Sequence, residues 1–174
     1  VHVSHFKERF TGAIIDTIIR QVVYNSVITA AIKKDEKLLQ ESLAIVNQVK
    51  LSNSDAFVCE MQLMYYSLTD NWPTYVKTAF AYLEKNNINN PSLANHICLM
   101  AYFYVKDKKI LEEAFEMAKK TLEFEHKYED YYICAALAKK LNNKVKMDFY
   151  TKKAIEKARA QDLDYTNVTR LLKD

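Results

Sequence analysis

The residues with most chemistry to offer are four histidines, three cysteines and one cluster of glutamates. His2 and His5 stand three residues apart near an irregular start. Two such ligands fall short of the three or four that a zinc site takes, so they are expected to be solvated. His96 and His126 are isolated near loops and lack the nearby nucleophile and orienting partner in sequence that a catalytic base takes. Cys59, Cys98 and Cys134 are far apart, odd in number and free of any Cys-x-x-Cys spacing. Each sits inside an apolar helical pattern and reads as a small buried hydrophobe. Glu112, Glu113 and Glu116 oppose Lys108, Lys109, Lys119 and Lys120 at helical spacing, which makes a salt-bridged exposed face and not a carboxylate dyad. No Rossmann, Walker, zinc or nucleophile-elbow pattern occurs. The expectation is therefore a chain without a catalytic residue, a metal or a cofactor.

Binding chemistry remains. Lys139, Lys140, Lys144, Lys146, Lys152 and Lys153 make the last hairpin basic, and Phe149 and Tyr150 sit among them. The net charge is only +3, with 25 basic and 22 acidic residues interspersed, so a nucleic-acid partner is not expected. No run of about 18 apolar residues could span a membrane. Val1 in place of an initiator Met points to a fragment or a processed form.

The elements that must position these residues are helices. The 174 residues contain one Gly and two Pro, too few for a strand-rich fold with tight hairpin turns. Apolar residues at i, i+3/i+4 spacing predict a long helix over Phe10–Ile32, whose β-branched content would suit strands but whose length does not. Further helices are expected at Lys37–Lys50, Ala56–Leu68, Trp72–Lys85, Ser92–Val105, Ile110–Phe124, Tyr131–Leu141 and Val145–Ala160. A terminal helix follows. Ser54 or Asp55 and, later, Ser92 are the expected N-caps of the third and fifth helices. Breaks near residues 34, 71, 107 and 142 recur every 35–37 residues, the signature of stacked helix–turn–helix units. The expected fold is all-α: a right-handed α-solenoid in one domain over residues 1–174, with units at about 10–50, 55–88, 92–125 and 128–160. Residues 162–173 form a capping helix.

The final unit resembles a tetratricopeptide repeat. Tyr131, Cys134-Ala135, Ala138, Asn142-Asn143 and Ala154-Ile155 follow that family's order of aromatic, small, turn and small residues. Asn-Asn stands where Gly-Asp is usual, and Asn tolerates a left-handed backbone. In the preceding unit Met100-Ala101, Tyr104, Ala114, Ala118 and Leu122 match when one residue is added at the turn. Val27 and Leu63 occupy the small-residue position in the first two units, which depart from the pattern. Residues 90–174 also resemble the C-terminal helical region of thioredoxin-family proteins from Bacteroidetes. The matching pieces are Leu111 and Ala114, Tyr128, Ala135–Leu141, Asn142-Asn143, Ala154–Ala158 and Asp164-Tyr165. The resemblance implies the non-redox part of a larger exported protein, periplasmic if it holds and cytoplasmic otherwise. That family's redox pair has no counterpart in this chain.

In tetratricopeptide arrays the first helices of successive units line a groove. That layout places Tyr24, Glu60, Met64, Cys98, Tyr102, Lys106, Tyr132, Lys139 and Lys140 there. Aromatic and basic side chains together can hold an extended peptide or its acidic terminus. The function expected is a non-catalytic interaction or scaffold module that binds a protein segment or a tethered thioredoxin domain. The alternative is a small helical enzyme whose site is assembled from distant residues.

Overall fold

A computed structural model describes residues 12–49, 51–86, 90–124 and 126–173. His2 and His5 lie outside them. Among the described residues the chain is all-helical, with nine helices and no strand. They are α1 Gly12–Lys33, α2 Glu36–Val49, α3 Ser54–Leu68, α4 Trp72–Lys85, α5 Pro91–Tyr104, α6 Lys108–Thr121, α7 Tyr128–Lys140, α8 Lys144–Ala160 and α9 Thr166–Lys173. Each predicted helix is present. None is long and apolar enough to cross a membrane.

The chain forms two compact units, residues 1–78 and 79–174. In the first, α1 packs on both α2 and α3, and α2 packs on α3. Large side chains fill this core: Val23, Val27, Leu39, Val46, Met61 and Tyr65 are buried together, with Tyr75 of α4 packed against them. In the second, α5 packs on α6 and α7, α6 on α7, α7 on α8, and α8 on α9. Here the seams are narrow. Ala101, Ala114, Ala118, Ala135, Ala136, Ala138, Ala154 and Ala158 are all fully buried, so backbones approach closely where the methyl is the whole side chain.

Four turns join the helices of a pair, and their chemistry recurs. Asp35, Asn71, Asp107 and Asn143 each cap the second helix: the side-chain Oδ1 accepts from the backbone N–H three residues on, at 3.0, 3.4, 3.1 and 3.0 Å. Successive members are 36 residues apart. Asx residues suit this position because the short side chain reaches the unsatisfied N–H groups of the first turn. The residue before the cap is left-handed in three of the four: Lys34 (φ 52°), Asp70 (φ 57°) and Asn142 (φ 56°). That conformation lets the next N–H reach back five residues, to Ala30, Tyr66 and Ala138 respectively, at 2.8, 2.8 and 2.9 Å.

The turn between α5 and α6 departs from the others. α5 ends at Tyr104, and Val105 is extended (φ −97°, ψ 136°) and buried. Lys106, at the position that is left-handed in the other three turns, has no positive φ. The carbonyl at the matching repeat position is Tyr102, and it accepts the Lys140 ammonium of α7. A side chain of α7 thus closes what a backbone N–H closes elsewhere.

Two expected caps are corrected. Asn53, not Ser54 or Asp55, occupies the cap position of α3, and its side chain makes no capping bond. Asn90, not Ser92, caps α5 by accepting from Leu93 N–H at 3.0 Å, because Pro91 fills the first helical position and sets the start two residues earlier.

Candidate functional site

In the first unit Tyr24 on α1 is exposed, and so is Glu60 on α3. Met64 on α3 is half-buried and packs into the core of α1, α2 and α3, so most of its surface serves packing.

The second unit brings several candidates together. Tyr102 of α5 and Tyr132 of α7 are half-buried and both rest on the Ala135–Ala136 seam, with Tyr150 of α8. The Lys140 ammonium lies 5.4 Å from the centre of the Tyr102 ring while it donates to the Tyr102 carbonyl. Burial and the neighbouring Lys106 cation both hold the Lys140 pKa below its ordinary value. Burial, followed by Tyr102 and Tyr128, pushes the Tyr132 phenol up. Lys106 is exposed beyond the end of α5, and Lys139 is half-buried. The result is an aromatic patch with two close cations at one end of the α5–α7 seam. Such a patch suits a carboxylate approaching over apolar ring faces. Lys140 also has a structural task there, since one of its three donors completes the C-terminus of α5.

Cys98 does not line this surface. It is fully buried and its thiol donates to the Ala114 carbonyl of α6 at 3.3 Å. Its spacing matches the groove positions, but the helix turns that residue into the α5–α6 seam. Cys59 and Cys134 are buried too, and all three thiols are free. Burial, followed by the neighbouring Glu60, pushes the Cys59 pKa up to about 11. Burial, followed by Asp130, pushes Cys134 up to about 12. Such thiols are protonated at neutral pH and poor nucleophiles.

One buried polar network was not read from the sequence. Asp130 in the first turn of α7 is 1% exposed. It accepts from Asn95 Nδ2 of α5 at 2.5 Å and from the Lys127 backbone N–H at 2.9 Å. Asn95 Oδ1 accepts in turn from the Thr121 hydroxyl at the end of α6, at 3.2 Å. One carboxylate so ties three helices. Its only linear trace is an acidic residue three positions after Lys127, a first-turn preference that does not reveal the distant partner.

The remaining candidates resolve as surface chemistry. Lys108–Glu112, Lys119–Glu116 and Lys120–Glu84 are ion pairs at 3.7, 2.6 and 3.5 Å between exposed side chains. His96 is exposed, and His126 is exposed and stacked on Tyr131 with ring centres 6.5 Å apart. Among the described residues no three His, Cys, Asp or Glu side chains converge as a metal site would require. An open groove of about 490 Å³ runs along α8, lined by Asp148, Thr151, Lys152, Ile155, Glu156 and Arg159. Of these, Lys152 belongs to the basic set of the last hairpin, and none is among the groove candidates. No protein-family model, curated protein or solved structure matches the chain.

Proposed function

We propose that this chain is a non-catalytic protein-interaction module, built as a tetratricopeptide-like α-solenoid, that holds a protein segment on its first-helix faces. The observation that carries the reading is the Asx-capped turn recurring every 36 residues at Asp35, Asn71, Asp107 and Asn143. Sequence-neighbour packing of helices within each unit supports it, since stacked repeats touch only what adjoins them. The surface that fits a partner best is the α5–α7 patch of Tyr102, Tyr132, Lys106 and Lys140. Its chemistry favours an extended segment that presents a carboxylate. A thioredoxin domain is the partner that the resemblance of residues 90–174 implies.

The test is a titration of the ¹⁵N-labelled chain with two acidic decapeptides that differ only in a free or an amidated C-terminus. Expected are shifts centred on Tyr102, Lys106 and Tyr132, weaker for the amide, and a loss of roughly tenfold in affinity for Lys106→Glu. An unchanged affinity in Lys106→Glu, or no shifts near the patch with either peptide, would remove this surface from the proposal.

A further inference from the structure

The outer face of α1 carries no charge along its length. Ile14, Ile18, Val22 and Ile32 are 46%, 41%, 51% and 80% exposed, and Gln21, Asn25 and Thr29 share their side of the helix. Of the three charged residues in α1, Asp16 accepts from the Ser52 hydroxyl at 2.8 Å. Arg20 donates to the Ser52 carbonyl and lies 4.6 Å from the Phe57 ring centre. Both are held toward α3, and Lys33 is the last residue of the helix. In a chain with 27% charged residues, an uncharged solvated face on a 22-residue helix departs from the ordinary mixed surface. Lack of charge at the centre of a patch is what distinguishes interfaces from ordinary surface.

The face also reads nearly the same in both directions. Turned end for end about a point near residue 23, Ile14 meets Ile32 of the copy, Ile18 meets Thr29, and Gln21 meets Asn25. The central amides fit the same operation. Gln21 Nε2 donates to Asn25 Oδ1 at 3.1 Å, which leaves Gln21 an acceptor and Asn25 a donor on the exposed side. Across a two-fold axis those are reciprocal partners, in the way that a buried amide fixes register in a coiled coil.

We infer that a second copy of this chain docks on α1, forming an antiparallel α1–α1 pair centred between Gln21 and Asn25. The helix is about 33 Å long and its free strip about 10 Å wide. The contact is then well below the roughly 800 Å² per partner of a standard interface, so the dimer is weak and reversible.

Sedimentation of the full chain over a concentration series tests this. The expected result is a concentration-dependent dimer that Val22→Lys weakens by at least tenfold, with the circular dichroism and melting of the monomer unchanged. Val22→Cys should form an intermolecular disulfide under mild oxidation. Ile32→Cys alone should not, because an antiparallel pair holds the two copies of residue 32 about 27 Å apart. A chain that stays monomeric to about 1 mM overturns the inference, whether the face is then covered by another part of this chain or by a different protein. A dimer that survives Val22→Lys, or that cross-links through Ile32→Cys alone, overturns it as well.

Discussion

The turn between α1 and α2 and the turn between α5 and α6 occupy the same repeat position 72 residues apart, with lysine at both, Lys34 and Lys106. In the first, the backbone solves the problem of ending a helix: Lys34 goes left-handed and the Asp35 N–H closes on the Ala30 carbonyl. In the second, buried Val105 keeps the chain extended, and the Lys140 side chain closes on the Tyr102 carbonyl instead. Both keep an Asp cap whose Oδ1 accepts from the backbone N–H three residues on. What differs is where the last carbonyls of the first helix find a donor. A local solution depends on nothing beyond six residues; a borrowed one ties α5 to α7. The difference teaches that the 36-residue spacing of the caps can persist while one turn passes from closing on its own backbone to closing on a side chain of α7.

Substitutions can break that contrast at several levels. The largest effect should come from Asp130→Ala. It removes the acceptor of Asn95 and of the Lys127 N–H in a buried site, and should cost about 3 kcal/mol in a denaturant titration. Next is Lys140→Met, which keeps the stem and deletes the donor to Tyr102. A loss of about 1–2 kcal/mol is expected, and a loss near zero would show that the α5 terminus is satisfied without it. The caps should then rank together. Asp35→Ala and Asp107→Ala should each cost about 1 kcal/mol, and unequal losses would show which turn depends more on its cap.

The sharpest comparison involves the smallest change. Lys34→Gly relieves a left-handed non-glycine residue and should stabilise by up to about 1 kcal/mol. Lys106→Gly, at the same repeat position but without a positive φ, should destabilise by a few tenths of a kcal/mol. Equal signs would mean that the two turns are not the distinct solutions described.

The buried thiols set a pH dependence of known sign. In the folded chain Cys59 and Cys134 hold their protons to about pH 11 and 12, whereas unfolded thiols titrate near 9.0. The unfolded state therefore binds fewer protons above pH 9. The stability these groups contribute is fully present below pH 9 and is lost as pH rises through the folded values. Denaturant midpoints should be level from pH 7 to 8.5 and fall steadily above 9.

Much of the fold was legible in the sequence because helices announce themselves locally. Apolar spacing marks each helix, and the scarcity of Gly and Pro leaves strands without turns. The recurrence of breaks was visible as 35–37 residues. The even 36 emerged only with the caps, since many Asp and Asn residues look alike until one sees whose side chain meets an N–H three residues on. Pro91 displaced the expected cap from Ser92 to Asn90 for a local reason that could have been weighed. Asp130, by contrast, gains its meaning from Asn95, 35 residues away, and no period announces a single long-range bond. Cys98 was placed on the groove by spacing alone, and the actual rotation of α5 buries it. Of the binding candidates, the sequence brought Tyr102, Lys106, Tyr132 and Lys140 into one neighbourhood. It could not show that Lys140 is also part of how α5 ends.

The three free thiols sit in α3, α5 and α7, one per first helix of the last three pairs. Cys98 and Cys134 are fully buried and Cys59 is 6% exposed, so a thiol reagent gains full access to each only when the packing around its helix opens. Without any substitution the chain thus carries three chemical stopwatches. Under conditions where closing outpaces modification, the rates at which Cys59, Cys98 and Cys134 are alkylated, resolved by mass spectrometry, would give an opening free energy for each helix in turn. Ordered along the chain, those three values would tell whether the helices open first near an end or in the middle.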